Sequence, residues 1–196
     1  MRKINEIFYS LQGEGYHTGC AAVFIRFSMC NLQCEFCDTM HQDGIMMSDE
    51  EIVNEIMKYP QSKLIVLTGG EPSLFISHSF IDMIKNATGM KIAIETNGTC
   101  SLPDNIDWIT LSPKTGFTGG DVHPMIITHC NELKVVFTGQ SLDKYFNISA
   151  QHYYLQPCAT NDVKTDDANT SATIVAILND PRWRLSLQTH KLIGIR

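Results

Sequence analysis

Apolar stretches with strand character alternate with helical stretches along this chain. Residues 22–27 predict a strand that feeds directly into a cysteine-rich loop. Ser48-Asp-Glu-Glu51 has the form of a capping box, with Ser48 as N-cap and Glu51 three residues on. The helix behind it runs to about Tyr59 and sets Ile52, Val53, Ile56 and Met57 on one face. Residues 64–68 form a short apolar strand ending in Gly69-Gly70, and 78–87 a second amphipathic helix closed by Gly89. A third strand at 91–96 ends in Asn97-Gly98. Further strands are expected at 108–112, 133–137 and 153–156, then a helix over 170–178 that stops before Pro181, and a last strand near 183–188. The polar stretch 160–171 reads as a loop running into that helix.

This alternation predicts an α/β protein on a largely parallel sheet. A closed eight-stranded α/β barrel takes about 250 residues. With 196 residues, an incomplete, open barrel in a single domain over 1–196 is expected instead. Ligands of such sheets gather at the carboxyl ends of the strands. Polar or glycine-rich motifs stand at those ends in succession: the cysteines, Thr68-Gly-Gly-Glu-Pro72, Glu95-Thr-Asn-Gly98, Ser112-Pro-Lys114 and Gln156-Pro157. One pocket is implied.

Hydrophobic residues at 43% and charged residues at 18% fit a soluble globular chain. No apolar run reaches the length of a membrane span. A net charge of -6 argues against a broad nucleic-acid footprint. The start, Met1 to Glu6, is too polar for a signal peptide, so a cytoplasmic, reducing location is expected.

Cys30, Cys34 and Cys37, spaced C-x3-C-x2-C, carry the chemistry. Structural zinc sites use four ligands, and electron-carrying cubane clusters use four cysteines. Three thiolates on a cubane leave one iron open to a small molecule, which points to a catalytic cluster. Other readings stay open on spacing alone. A distant His or Cys could complete a zinc site, and Cys20, Cys100, Cys130 or Cys158 could complete a four-thiolate cluster. A disulfide knot fits an odd count of seven cysteines badly. In Thr68-Gly69-Gly70-Glu71-Pro72 the glycines permit close backbone approach and Glu71 could meet a cationic amine; a glycine turn closed by proline is the plainer reading.

The cysteine triplet followed by Gly-Gly-Glu-Pro resembles the radical S-adenosylmethionine superfamily. There an open iron chelates the methionyl amine and carboxylate, and reductive cleavage yields a 5′-deoxyadenosyl radical that abstracts hydrogen from substrate. Within it, Phe8-Tyr-Ser-Leu-Gln-Gly-Glu-Gly15, Phe24-Ile-Arg26-Phe, Cys37-Asp-Thr39, Ile94-Glu-Thr-Asn-Gly98, Ser112-Pro-Lys114, Asn131-Glu-Leu-Lys-Val-Val136 and Trp183-Arg-Leu-Ser-Leu-Gln-Thr-His-Lys191 are similar, in order, to the 7-carboxy-7-deazaguanine synthase (QueE) family. The resemblance implies conversion of 6-carboxy-5,6,7,8-tetrahydropterin to 7-carboxy-7-deazaguanine with loss of ammonia, on the route to queuosine. It implies a Mg2+-dependent homodimer that regenerates S-adenosylmethionine and draws electrons from a donor such as flavodoxin or ferredoxin.

By the same resemblance Cys30, Cys34 and Cys37 hold a [4Fe-4S] cluster. Gly70, Glu71, Ser112, Pro113, Lys114, Gln156, Pro157, Cys158 and Ala159 line S-adenosylmethionine. Leu11, Gln12, Gly13, Arg26 and Thr68 contact the pterin, with Glu95 and His190 as further candidates, and the terminal Arg196 carboxylate reaches back into the pocket. Thr39 offers its hydroxyl to Mg2+, a hard cation that takes few protein ligands. Residue chemistry runs alongside: Arg26 suits a carboxylate in a bidentate fork, and Gln12 or Glu95 suit pterin edges. Each has a plainer alternative. Arg26 could serve as a structural ion-pair partner, Glu95 to Gly98 as a strand-ending turn, and His190 as a surface or core histidine. Cys20, Cys100 and Cys130 read as small hydrophobes. A glycyl-radical activase of the same superfamily, an iron–sulfur electron carrier and a structural zinc protein are the alternative functions.

Overall fold

In the computed structural model, residues 1–34, 37, 43–114, 117, 123–160 and 162–196 are described. Among these residues nine strands form one sheet: β1 (Arg2–Leu11), β2 (Ala21–Phe27), β3 (Ile45–Met47), β4 (Leu64–Gly69), β5 (Lys91–Thr96), β6 (Trp108–Leu111), β7 (His129–Phe137), β8 (Ser149–Pro157) and β9 (Arg184–Leu185). Their order is β3-β1-β2-β4-β5-β6-β7-β8-β9. Pairings from β2 to β9 are parallel, while β1 lies antiparallel to both β2 and β3. Among the described residues the sheet stays open, as the chain length implied.

Side chains alternate between the two faces of a strand, and the sequence obeys that parity closely. Val23, Ile25, Phe27, Ile65, Leu67, Ile92 and Ile94 point to one face and join a buried cluster with Ile52 and Ile56 of α1 (Asp49–Ile56) and Phe80, Ile81 and Ile84 of α2 (His78–Thr88). The intervening positions face inward. Phe8, Ala22, Phe24, Leu64, Val66 and Ala93 pack there as a second apolar layer against Trp108. A third cluster, including Leu133, Val135, Leu155 and Trp183, packs against Ala176 and Ile177 of α3 (Val163–Asn179).

The capping box is present as expected: the Glu51 amide donates to Ser48 Oγ at 3.1 Å, and the Ser48 amide to Glu51 Oε2 at 2.7 Å. The helix stops at Ile56, short of Tyr59, and Met57 is left exposed. Four other expectations are corrected. β1, β3 and α4 (Thr189–Ile193) were not anticipated. The 160–171 stretch is helical from Val163, where Asp162 caps the Thr165 amide at 3.0 Å. β7 and β8 are longer than 133–137 and 153–156, whereas the last strand shrinks to two residues. Cys20 is exposed rather than packed as a small hydrophobe. No helix among the described residues is long and apolar enough to cross a membrane.

Candidate functional site

The inward parity that builds the apolar layer continues, one step nearer the strand ends, as a row of polar side chains. Arg26 of β2 is the register partner of Thr68 of β4. Thr68 Oγ1 donates to Glu95 Oε2 of β5 at 2.7 Å. Lys134 of β7 donates through Nζ to Glu95 Oε1 at 3.3 Å and to Glu14 Oε2. Ser186 Oγ donates to Gln156 Oε1 of β8 at 3.0 Å. From Thr68 to Gln156 this row forms the floor of a cavity of about 750 Å³, with Arg26 at its edge.

The rim comes from the loops after the strands. After β2 the chain turns through Met29, whose φ of 73° is left-handed, into Cys30, Cys34 and Cys37. All three cysteines line the cavity and are free of disulfides. The loop after β4 lies directly upon this turn, with the Gly70 amide bonded to Phe27 O and the Glu71 amide to Met29 O, both at 2.9 Å. A Cβ on Gly70 would stand 1.8 Å from Met29 O, so no side chain fits there. Glu71 is buried, and its carboxylate accepts from the Thr96 hydroxyl at 2.8 Å and from the amides of Asn97 and Ser73 at 2.7 and 3.1 Å. Its first task is thus to brace the ends of β4 and β5 together. Asn97 Nδ2 in turn donates to Asn31 Oδ1 at 3.0 Å inside the cysteine loop.

The segment 12–14 enters from the other side. Leu11 pairs with Ala21 at the start of β2, the end of the sheet opposite the cysteines. From there the chain folds inward. Gln12 Nε2 reaches Glu95 Oε1 at 3.2 Å, and Gln188 Nε2 donates to Glu14 Oε1 at 2.9 Å. Gly13 accepts from the Thr189 amide at 2.9 Å, and its missing side chain makes room for the His190 ring, whose Nδ1 lies 2.1 Å from where a Cβ would be.

Glu6 joins two arginines on one wall. Arg26 Nε and Arg196 Nη2 bond its two oxygens at 3.0 and 2.6 Å, and both guanidinium groups lie near the Phe8 ring. Arg26 is therefore an ion-pair partner and a cavity residue at once. The main-chain oxygen of Arg196 accepts from Ser10 Oγ at 2.7 Å.

Charge in the floor is strongly perturbed. Burial alone would push the Glu14 carboxyl up, yet the Lys134 ammonium and the donor bonds from Lys134 and Gln188 hold it at about 2. Burial would likewise lower Lys134, and Glu14, Glu95 and Glu132 together carry it above its ordinary value instead. Burial and the neighbouring Lys134 depress Lys114, which bonds Ser112 Oγ at 2.8 Å. Burial raises the thiols of Cys30 and Cys34.

Of the residues singled out by sequence, the cavity gathers Cys30, Cys34, Cys37, Gly70, Glu71, Ser112, Lys114, Gln156, Pro157, Cys158, Ala159, Leu11, Gln12, Gly13, Arg26, Thr68, Glu95, His190 and Arg196. Pro113 is not among its lining residues, and Thr39 lies outside the described residues. Sequence reasoning gave no role to Glu14, Lys134 or Gln188. A signal existed for Lys134: it stands at an inward position between Leu133 and Val135, where a lysine has to be paired.

The donor set suits a cubane cluster. Among the described residues no three His, Cys, Asp or Glu converge as ligands of one ion. A cubane does not need that, because each thiolate binds a different iron of it. The Leu32 amide points at Cys30 Sγ at 3.4 Å, a bond that favours a ligating thiolate. Cys158 shares the cavity wall, with its Sγ directed to Ala159 O at 3.9 Å.

Residues 24–131 match the radical SAM superfamily. The 7-carboxy-7-deazaguanine synthase of Bacteroides thetaiotaomicron is 55% identical over 196 residues, covering 100% of both chains. That of Haemophilus influenzae is 39% identical over 200 residues, covering 98% of this chain and 93% of the relative. The crystal structure of QueE from Escherichia coli superposes with a TM-score of 0.73 and 27% identity, over 96% of this chain and 94% of that one. Streptococcus suis SuiB bound to S-adenosylmethionine, at 14% identity and a TM-score of 0.53 over 84% of this chain and 51% of that one, is alike in fold alone. The activase and electron-carrier readings are not favoured by these likenesses. With a cysteine trio over one cavity and relatives alike along the whole chain, the protein belongs to the radical SAM superfamily, which implies S-adenosylmethionine and a [4Fe-4S] cluster, and within it to the 7-carboxy-7-deazaguanine synthase family.

Proposed function

We propose that this chain, a single domain over 1–196, converts 6-carboxy-5,6,7,8-tetrahydropterin to 7-carboxy-7-deazaguanine with loss of ammonia, as a Mg2+-dependent carbon–nitrogen lyase. The observation that carries this reading is one cavity shared by Cys30, Cys34 and Cys37 with Arg26, Thr68 and Glu95. Cys30, Cys34 and Cys37 would hold the cluster, which with S-adenosylmethionine supplies one-electron chemistry and a hydrogen-abstracting radical.

The chain's own residues bind and orient. Gly70 leaves room at the wall nearest the cysteines, and Ser112, Lys114 and the 156–159 segment line the cavity for S-adenosylmethionine, with Pro113 between the first two in sequence. Arg26 takes the pterin carboxylate as a charge-assisted bond. Gln12, Thr68 and Glu95 meet the ring, with Leu11, Gly13, His190 and Arg196 closing around it. Thr39 gives its hydroxyl to Mg2+, the remaining ligands being water and substrate. A cytoplasmic homodimer fed by flavodoxin or ferredoxin completes the proposal.

Anaerobic incubation of the reconstituted protein with the carboxylated pterin, S-adenosylmethionine and a reductant tests it. The expected result is the deazaguanine acid by mass together with 5′-deoxyadenosine from uncoupled cleavage, both abolished in Cys34→Ala. Failure of the wild-type protein to make the acid contradicts the substrate assignment. Substantial activity in metal-replete Cys34→Ala contradicts the ligand assignment.

A further inference from the structure

We infer that Lys134 is a positioning residue: its ammonium, set behind Glu14 and Glu95, fixes both carboxylates as acceptors for the N–H edge of a 2-amino-4-oxopyrimidine ring. The ring named here rests on the functional reading above; the hold of Lys134 over the carboxylates does not.

Lys134 is 5% exposed, in the middle of a strand, and a buried ammonium is tolerated when it is paired. It bonds one oxygen of Glu14 and one of Glu95. An ionised carboxylate has about four acceptor positions. Glu14 uses two on Lys134 and Gln188, and Glu95 uses three on Lys134, Gln12 and Thr68. Both side chains line the cavity, so the acceptor capacity left over faces a ligand that brings donors. The anionic end of that ligand belongs to the Arg26 wall, not to a floor of carboxylates. A 2-amino-4-oxopyrimidine presents a ring N–H beside an exocyclic NH2, and a site built to accept from such groups rejects an analogue lacking one.

The lysine decides whether the floor keeps this polarity. Glu14 and Glu95 converge on one ammonium, with Glu132 of β7 inward of them. Among the described residues Lys114 and His190 also act on the floor, from the loop after β6 and from α4, and Arg26 stands at its edge. Without Lys134, burial and mutual repulsion would drive one carboxyl to keep its proton. That group would then offer a donor where the ring edge requires an acceptor.

The test compares binding of 7-carboxy-7-deazaguanine with that of its analogue lacking the exocyclic amine, in wild-type protein, Lys134→Met and Lys134→Arg. In Lys134→Met, affinity for the amino compound should fall on the order of 10- to 100-fold. The analogue should lose clearly less, because it keeps only the ring N–H of the two donors that the carboxylates accept from. Lys134→Arg should recover most of the loss. Binding of the amino compound to Lys134→Met should also weaken as pH falls and recover as pH rises, with wild type flat over about pH 5 to 8. Equal losses for both compounds without pH dependence would show a merely structural lysine and overturn the inference. Should Lys134→Met fail to fold, carboxyl NMR titration of the wild-type protein decides. Glu14 still ionised well below about pH 4 supports the inference, and a midpoint near its ordinary value of 4.5 overturns it. Wild-type protein that binds neither compound overturns the ring assignment and the functional reading together, and the same titration then decides the hold over Glu14 by itself.

Discussion

Gly70 shows how one missing side chain can hold a site together. Its backbone stands against Met29 O, immediately before Cys30. An alanine there has to push the cysteine turn outward, since the atom it meets is backbone. Gly70→Ala should keep its fold but lose most of its iron after anaerobic reconstitution, read as iron and sulfide per chain. Full cluster loading would show that the two loops yield independently. Glu14 supplies a second test at this scale. Its folded carboxyl sits at about 2, below the ordinary value of 4.5, so its contribution is present above that ordinary value and is lost as pH falls toward 2. Wild-type protein should be more stable than Glu14→Gln by roughly 3 kcal/mol at neutral pH. The gap should close between about pH 4.5 and 2, as followed by denaturant midpoints. A gap unchanged by acid would mean that Glu14 is not held by Lys134.

Elements differ in how far the sequence disclosed them. The first turn of α1 was legible to the atom, because Ser48 and Glu51 satisfy each other's amides locally and need nothing distant. Ser48→Ala should cost about 1 kcal/mol and lower the melting temperature by a few degrees without touching the site; an unchanged midpoint would show that the cap carries no net stability. The strands β2, β4 and β5 were legible because each is apolar on both faces. β1 was not, since Arg2, Lys3, Asn5 and Glu6 break its apolar run; its antiparallel pairing to β2 and β3 supplies what local propensity lacks. The first half of α3 also hid itself. Thr173 is its one buried residue, so residues 163–171 carry no periodic stripe to read. Of the polar row, Arg26, Thr68 and Glu95 stand at strand ends where ligands are expected. Lys134 and Glu14 escaped because one sits mid-strand and the other enters from the opposite end of the sheet.

At the scale of the whole molecule, the open sheet explains why both ends of the strands serve one cavity. A closed barrel fills its interior with layers of side chains. Here a single apolar layer lies beneath the polar row, and the 12–14 segment folds in above it to meet β5 and β7. The cysteine loop closes the space from the other side. That arrangement gives the thiols and a hydrogen-bonding floor one shared cavity, in which a cluster held by the thiols would face a planar substrate held by the floor.

The central claim is that the cysteine trio leaves an iron to which S-adenosylmethionine binds, with Cys158 standing aside although it shares the wall. Electron paramagnetic resonance of the reduced, anaerobically reconstituted protein, recorded before and after adding S-adenosylmethionine, tests this most directly. The account predicts a [4Fe-4S] signal that shifts on addition, in Cys158→Ala as in wild type. A signal that ignores S-adenosylmethionine, or a cluster that forms in wild type and is lost in Cys158→Ala, would contradict it.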